Sequence, residues 1–275
     1  MKTSANQPAS TPEIIGVLPA GGHASRLAPL PCSKELYPVG FRPVGSGDSR
    51  PKVVGHYLLE KMQQAGASKA FIILREGKWD IPAYFGDGTL VGLPLAYLMM
   101  NLPYGAPYTL DQAYPFVNQA NIVFGFPDIL FQPDDAFTRM FKHQAETKAD
   151  IVLGLFRADN PEKMDMVEFD EQQRVRRIVI KPKHQTALIY TWIIAVWTPA
   201  FTEFMHTFLE RKLAEGSLGA KEVFVGDVIQ AAIDAGLNVE SVIFSEGRYI
   251  DIGTPEDLAK ATYRYAKMAI QTAGQ

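Results

Sequence analysis

The chain reads as an α/β protein with three layers, helices covering both faces of a mixed, mainly parallel sheet. Three observations predict this. Apolar runs of strand length alternate with helical segments through the first half of the sequence. The second half instead carries three successive strand-like runs with no helix between them. The size and composition, 275 residues and 47% hydrophobic, suffice for one large core or two modest ones.

The elements follow in order. Ile14–Leu18 is a buried strand, and Lys52–Gln64 a helix ending near Gly66. Lys69–Leu74, Pro94–Met100 and Asn121–Phe124 read as strands, Pro133–Thr147 as a helix, and Asp150–Phe156 as a further strand. Val167–Asp170, Val175–Ile180 and Ile189–Trp197 form the strand-rich stretch, and the turn E-Q-Q-R makes the first two a hairpin. Phe201–Glu215, stopped by Gly216, and Val225–Ala235 are helical. Val239–Phe244 and Arg248–Ile250 return to strand. Pro255–Met268 closes as a helix, with Thr254 as its N-cap and Pro255 at its first position. No repeat or low-complexity linker divides the chain. The expected organisation is a disordered lead-in over residues 1–12 and a single domain over 13–275, with a β-rich insertion carrying part of the ligand site.

Charge and cysteine content narrow the function classes. A net charge of -3 makes nucleic acid a poor default partner, so any phosphate handling is local. The single cysteine, Cys32, permits no internal disulfide, and a cytoplasmic setting is expected. The first twelve residues lack the apolar core of a secretory signal, and no run approaches the ~20 apolar residues of a membrane span. His56, His143 and His206 show no metal-ligand spacing, His23 lies in a loop, and Cys32 has no evident base nearby.

Four segments carry chemistry. In I-I-G-V-L-P-A-G-G-H-A-S-R-L a buried strand runs into a glycine loop, then Arg26, with Lys34 following. Backbone N–H groups at such a loop can approach an anion, and the cations offset its charge; a plain turn with a surface arginine is the alternative. It is neither a P-loop nor a dinucleotide fingerprint. Asp128 follows a buried strand, where a hard carboxylate suits Mg²⁺ or caps a turn. Asp251 lies between a short strand and the last helix, flanked by isoleucines; buried, it needs a partner, and a metal is one. Lys181 ends an apolar strand before a proline, either solvated or meeting a phosphate.

In this order the motifs resemble the sugar-phosphate nucleotidylyltransferases, above all the short bacterial glucose-1-phosphate thymidylyltransferases and uridylyltransferases. The family's A-G-G-x-G-T-R-L followed by K-x-L-x-P-V stands here as A-G-G-H-A-S-R-L and S-K-E-L-Y-P-V. Its G-D appears as P-D, its E-K-P as I-K-P, and its D-x-G-T-P-x-D-L is intact. F-G-D-G-T-L-V-G-L-P-L-A-Y and L-D-Q-A match two further segments, and the likeness spans roughly Ile14 to Leu258. The resemblance implies a Rossmann-like nucleotide-diphospho-sugar transferase fold. It also implies a reaction: a sugar-1-phosphate oxygen attacks the α-phosphorus of a nucleoside triphosphate, dTTP or UTP favoured, and pyrophosphate leaves. By the same resemblance Asp128 and Asp251 hold Mg²⁺, and Arg26 and Lys34 act on the phosphates. Leu18, Ala20, Gly21, Gly22 and Gln112 bind the nucleotide. Lys181, Ile180, Thr191 and Trp192 form the sugar-phosphate side. Family members of this length are often homo-oligomers.

The chain departs from the pattern in ways that bear on the acceptor. Ala24 replaces a loop glycine, Pro127 precedes the metal aspartate, and Ile180 replaces a glutamate that holds sugar hydroxyls. Ile193 or Ile194 fills a spot where glycine leaves room for the sugar, so a bulkier, more apolar pocket is expected. A catalytically altered nucleotide-binding or regulatory module on the same fold is the alternative.

Overall fold

The computed structural model describes residues 12–45, 48–101, 104–184, 186–216 and 222–273. The expected lead-in falls outside these, apart from its last residue. Among these residues thirteen strands and eight α-helices follow in chain order. They are β1 (Ile14–Pro19), β2 (Pro38–Val44), β3 (Asp48–Val53), α1 (Val54–Gln64), β4 (Lys69–Arg75), α2 (Asp80–Phe85) and β5 (Leu95–Met100). Next come α3 (Ala106–Asp111), α4 (Tyr114–Val117), β6 (Asn121–Gly125), β7 (Ile129–Gln132), α5 (Ala136–Thr147) and β8 (Ile151–Arg157). The chain closes with β9 (Asp165–Phe169), β10 (Val175–Ile180), β11 (Tyr190–Trp197), α6 (Pro199–Ala214), α7 (Val225–Asp234), β12 (Val239–Ile243), β13 (Arg248–Asp251) and α8 (Pro255–Ala273).

Nine strands make the central sheet. β5, β4, β1 and β6 lie side by side and parallel, the signature of strands joined by crossover helices. β11 then runs antiparallel to β6 and to β8, and β12 lies parallel to β8. β9 pairs with β11 and with β10, both antiparallel. Only β10 and β11 therefore oppose the other seven, and the sheet is mixed but mainly parallel.

Alternation along each strand builds the two core layers. Ile15 and Val17, Phe71 and Ile73, Ile122 and Phe124 point toward α3, α4, α6 and α7. Leu18, Ile72, Leu74 and Val123 point the other way, toward α1, α2 and α5. Twenty-odd large apolar side chains are thus removed from water on each face, which makes burial the dominant stabilising term. A third cluster joins α8 to the β2–β3 hairpin and to β7 and β13 through Val39, Leu130, Ile252 and Tyr265.

The short elements α2, α3, α4 and β7 have no counterpart in the expected order, and two further features depart from it. The helix predicted from Lys52 begins at Val54, because Lys52 and Val53 finish β3. The hairpin itself, with prolines and glycine at alternate places and a mostly exposed surface, carries no strand-like apolar period. β11 holds the other. Its register against β8 slips between Trp192 and Ile194, so a bulge turns Ile193 and Ile194 to the same face.

Candidate active site

The edge of β11 facing away from β8 is shared by two strands. β6 takes its later half, ending with Gly125 opposite Ile194. β9 takes its start, with Met166 opposite Thr191. Between them the sheet splits, beyond the carboxyl end of β6. Ligand crevices form at such switch points in open α/β sheets.

Asp128 leaves β6 in a turn closed by the Ile129 N–H donating to the Phe126 carbonyl. The antiparallel pair β7–β13 sets Asp251 opposite Ile129, and the Ile252 N–H donates to the Asp128 carbonyl at 3.0 Å. Two aspartates more than a hundred positions apart are thereby fixed side by side. Burial pushes the Asp251 carboxyl up to about 6, with the Asp128 charge adding to it and Lys34 and Arg26 opposing. The Lys34 ammonium forms an ion pair with Asp128. Burial draws that ammonium down, but the Asp128 carboxylate outweighs it and holds it above its ordinary value.

The loop after β1 serves both sides of this pair. Gly21, Gly22 and His23 line a cleft of about 530 Å³ together with Lys34, Glu35, Arg75, Phe126 and Asp128. Arg26 lines a second cavity of about 940 Å³ with Lys181, Tyr249, Asp251 and Lys260. Gly253 admits the Arg26 guanidinium: a Cβ there would stand 2.7 Å from Nη2. Ala24 holds φ +52°, the left-handed backbone that a glycine would adopt freely. Ser33 is pinned by Asp80, its N–H and Oγ donating at 2.6 and 2.7 Å, which fixes the residue before Lys34. Behind the loop, Lys78 donates to Glu35 at 2.7 Å, both almost fully buried.

The structure thus brings together Gly21, Gly22, Arg26, Lys34, Asp128, Lys181 and Asp251. Other expected residues stand elsewhere. Leu18 and Ala20 are core residues, and the Ala20 N–H is spent on the Ile73 carbonyl. Gln112 does not line the cleft; its amide donates to the Tyr108 carbonyl at 3.3 Å at the end of α3. Thr191 is buried, with Oγ1 donating to the Asp165 carbonyl at 2.9 Å. Trp192 packs in the core against Phe124 and Phe126. Ile180 is half-buried against the same core. Ile193 and Ile194 do not fill a pocket. Ile194 lies over Gly154 of β8, where a Cβ would come within 2.5 Å of it. The bulk expected in the acceptor pocket is absorbed on the opposite face by a glycine on the neighbouring strand.

Glu35, Lys78, Asp80 and Asp165 were missed. Glu35 adjoins Lys34, and Lys78 follows a buried strand in L-R-E-G-K, so a charge-pair signal existed, but nothing local tied one to the other. Asp165 opens β9, but in the sequence it precedes the expected strand Val167–Asp170 and reads as an ordinary loop acid.

A divalent cation suits the aspartate pair. The donors are hard oxygens, one of the two carboxyls raised by burial and then by its neighbour, and Mg²⁺ commonly takes one or two carboxylates and completes its shell from phosphates and water. Among the described residues no group of three or more His, Cys, Asp or Glu could hold a metal unaided. No helix among them is long and apolar enough to cross a membrane.

Parallel strands ending at a glycine loop, with cations on either side of two paired acids, define a phosphate-handling α/β protein. The chain belongs to the nucleotidyl transferase family, whose model matches residues 15–268. It is 25% identical to the low-salt glycan biosynthesis nucleotidyltransferase Agl11 of Haloferax volcanii, over 90% of this chain and 64% of that protein. The chain therefore spans under two-thirds of that relative's length. In fold it resembles a Bacillus anthracis protein assigned as a glucose-1-phosphate thymidylyltransferase and solved with sucrose. The TM-score is 0.76 at 21% identity, covering 92% of this chain and 95% of that one. It also resembles the inositol-1-phosphate CTP transferase of T. maritima, with a TM-score of 0.70 at 21% identity over 94% and 97% of the two chains.

Proposed function

We propose that the chain is a Mg²⁺-dependent sugar-phosphate nucleotidylyltransferase, with a pyrimidine triphosphate, dTTP or UTP favoured, as donor. The acceptor phosphate oxygen attacks the α-phosphorus and pyrophosphate leaves. The observation that carries this is the Asp128–Asp251 pair, locked by the Ile252–Asp128 backbone bond between two cation-lined cavities. The names of the two structural neighbours, a thymidylyltransferase and a CTP transferase, support a pyrimidine.

In this reading the first cleft takes the triphosphate against Gly21 and Gly22, and the second takes the acceptor against Lys181. Lys34 neutralises the α-phosphate region, and Arg26 offsets phosphate charge from the same loop on the acceptor side. Gln112 reaches the base only by releasing the Tyr108 carbonyl. Asp128 and Asp251 would hold Mg²⁺, which would supply charge neutralisation and alignment of the two phosphates. The remaining catalytic power is positioning, as phosphoryl chemistry generally demands of a protein.

A pyrophosphate-release panel tests it: dTTP, UTP, CTP and GTP, each with glucose 1-phosphate, mannose 1-phosphate and inositol 1-phosphate, with and without Mg²⁺. Release requires Mg²⁺ and is lost in Asp128→Ala and Asp251→Ala. Full activity in either variant sinks the proposal. Nucleotide binding with no release from any combination would favour a binding module on the same fold.

A further inference from the structure

β9 and β10 pair so that Asp165 stands directly opposite Ile180. Directly opposed residues of an antiparallel pair share a face, with Cβ atoms about 5 Å apart. A carboxylate at 165 therefore starts from nearly the same place as one at 180, on the other strand of the ladder. Ile180 immediately precedes Lys181, which lines the second cavity, as does Met164 immediately before Asp165. Alternation along the strands turns Asp165 and Ile180 to the other face, toward α7, with Ile180 packed in the core there.

The Asp165 carboxylate is built into this place yet left incomplete. Its Oδ1 is buried with no hydrogen-bond partner. Gly226, in the first turn of α7, clears the space for Oδ2: a Cβ there would stand 2.6 Å away. Burial pushes the carboxyl up to about 6, with the Lys181 charge opposing and the Asp227 charge adding. Buried polar groups are otherwise almost always paired, and an orphaned acceptor beside a cation is an opening for a donor from outside. Lys181 is also held in an uncommon state. Its backbone has φ +40°, and its Nζ lies 3.8 Å from the centre of the Phe224 ring. Strain of this kind in a non-glycine residue collects at functional sites.

We infer that Asp165 is a specificity-determining residue that accepts hydrogen bonds from the hydroxyls of a polyol phosphate whose phosphate is held by Lys181. The carboxylate absent at Ile180 is supplied from the facing strand. A cation next to an unfilled acceptor suits a ligand that carries both an anion and hydroxyl donors. The inference takes its reaction from the transferase reading, but its test does not depend on turnover.

Calorimetry on the full chain decides it, with glucose 1-phosphate, mannose 1-phosphate and inositol 1-phosphate as probes and inorganic phosphate as reference. At least one polyol phosphate binds more tightly than inorganic phosphate. Asp165→Asn, close in shape to the parent, weakens that probe about 10- to 100-fold, the range for a hydrogen bond to a charged group. Inorganic phosphate affinity stays unchanged. Asp165→Ala loses the same preference, and adding Ile180→Glu to it restores part, which a merely structural role would not produce. The inference falls if Asp165→Asn keeps its polyol phosphate within about twofold, or if no probe outbinds inorganic phosphate. Binding as expected with no pyrophosphate release sinks the transferase reading alone. Release with an acceptor KM unmoved by Asp165→Asn sinks the inference alone.

Discussion

Replacing Lys78 by Met should destabilise the protein in a way that depends on pH. Lys78 and Glu35 are 4% and 2% exposed, and their 2.7 Å bond is the carboxylate's contact with a cation in the core. Burial already pushes the Glu35 carboxyl up, and Lys78 is the first influence holding it down. Without Lys78, Glu35 must stay buried and charged or take a proton. Removing one partner of a buried pair costs about 3–5 kcal/mol when the other charge stays unpaired. Protonation caps the cost: neutralising a carboxyl of ordinary acidity takes about 3.5 kcal/mol at pH 7 and about 1 kcal/mol at pH 5. The sign follows from proton binding. The variant's folded state holds a proton that its unfolded state releases above about pH 4.3, so its stability falls as pH rises. Urea unfolding of parent and variant at pH 5, 6 and 7 should show a deficit growing from about 1 kcal/mol to at most about 3.5 kcal/mol. Adding Glu35→Leu should recover most of it. A deficit below about 1 kcal/mol that is flat across this range would refute the reasoning, because water would then be reaching Glu35.

Three further outcomes are expected. Ala24→Gly relieves the φ of +52° and should raise stability by about 0.5–1 kcal/mol, read as a shift in urea midpoint. His56 is fully buried, accepts from the Val53 N–H through Nδ1, and is pulled down to about 4 by burial and then by the Arg42 and Lys52 charges. Its contribution is therefore intact above about pH 6.5 and lost as pH falls toward 4, by about 3 kcal/mol; His56→Gln should flatten the stability profile over that window. Gly154→Ala drives a Cβ to 2.5 Å from Ile194 Cγ1 and should cost about 1–3 kcal/mol by thermal or urea unfolding, whereas an unchanged midpoint would mean that β8 yields freely.

The layered fold was legible because its strands are buried on both faces and its helices carry proper ends. Thr254 caps α8 as expected, accepting from the Asp257 N–H at 3.2 Å. Asp128 was legible as an acid beyond a buried strand, and Asp251 as one between a short strand and the last helix. What stayed hidden depends on pairing across the chain. The β2–β3 hairpin is held by α8, which follows it by some two hundred residues, so its own sequence shows little period. Ile194 reads as bulk in a pocket until Gly154 is placed beside it. Thr191 and Trp192 are acceptor contacts by the resemblance alone; in the structure Thr191 is buried with its hydroxyl on the Asp165 carbonyl and Trp192 lies in the core. Arg26 and Lys34, eight residues apart, face different cavities because the intervening loop wraps the aspartate pair.

The divided edge of β11 has a consequence for how such a protein can change. Among the described residues β9 joins β11 through a single register pair, Thr191 with Met166, whereas β6 is held by four. The ribbon that carries Asp165 and Lys181 thus joins β11 by little backbone pairing and is held mainly by its core packing and by α7 and β12, while Asp128 follows a strand paired along both edges. Altering the β9–β10 ribbon leaves the backbone pairing of β6 with β1 and β11 as it stands. A swap of that ribbon between relatives, cut in the exposed residues before Met164 and after Lys181, is a route to a new acceptor with the donor half left as it stands.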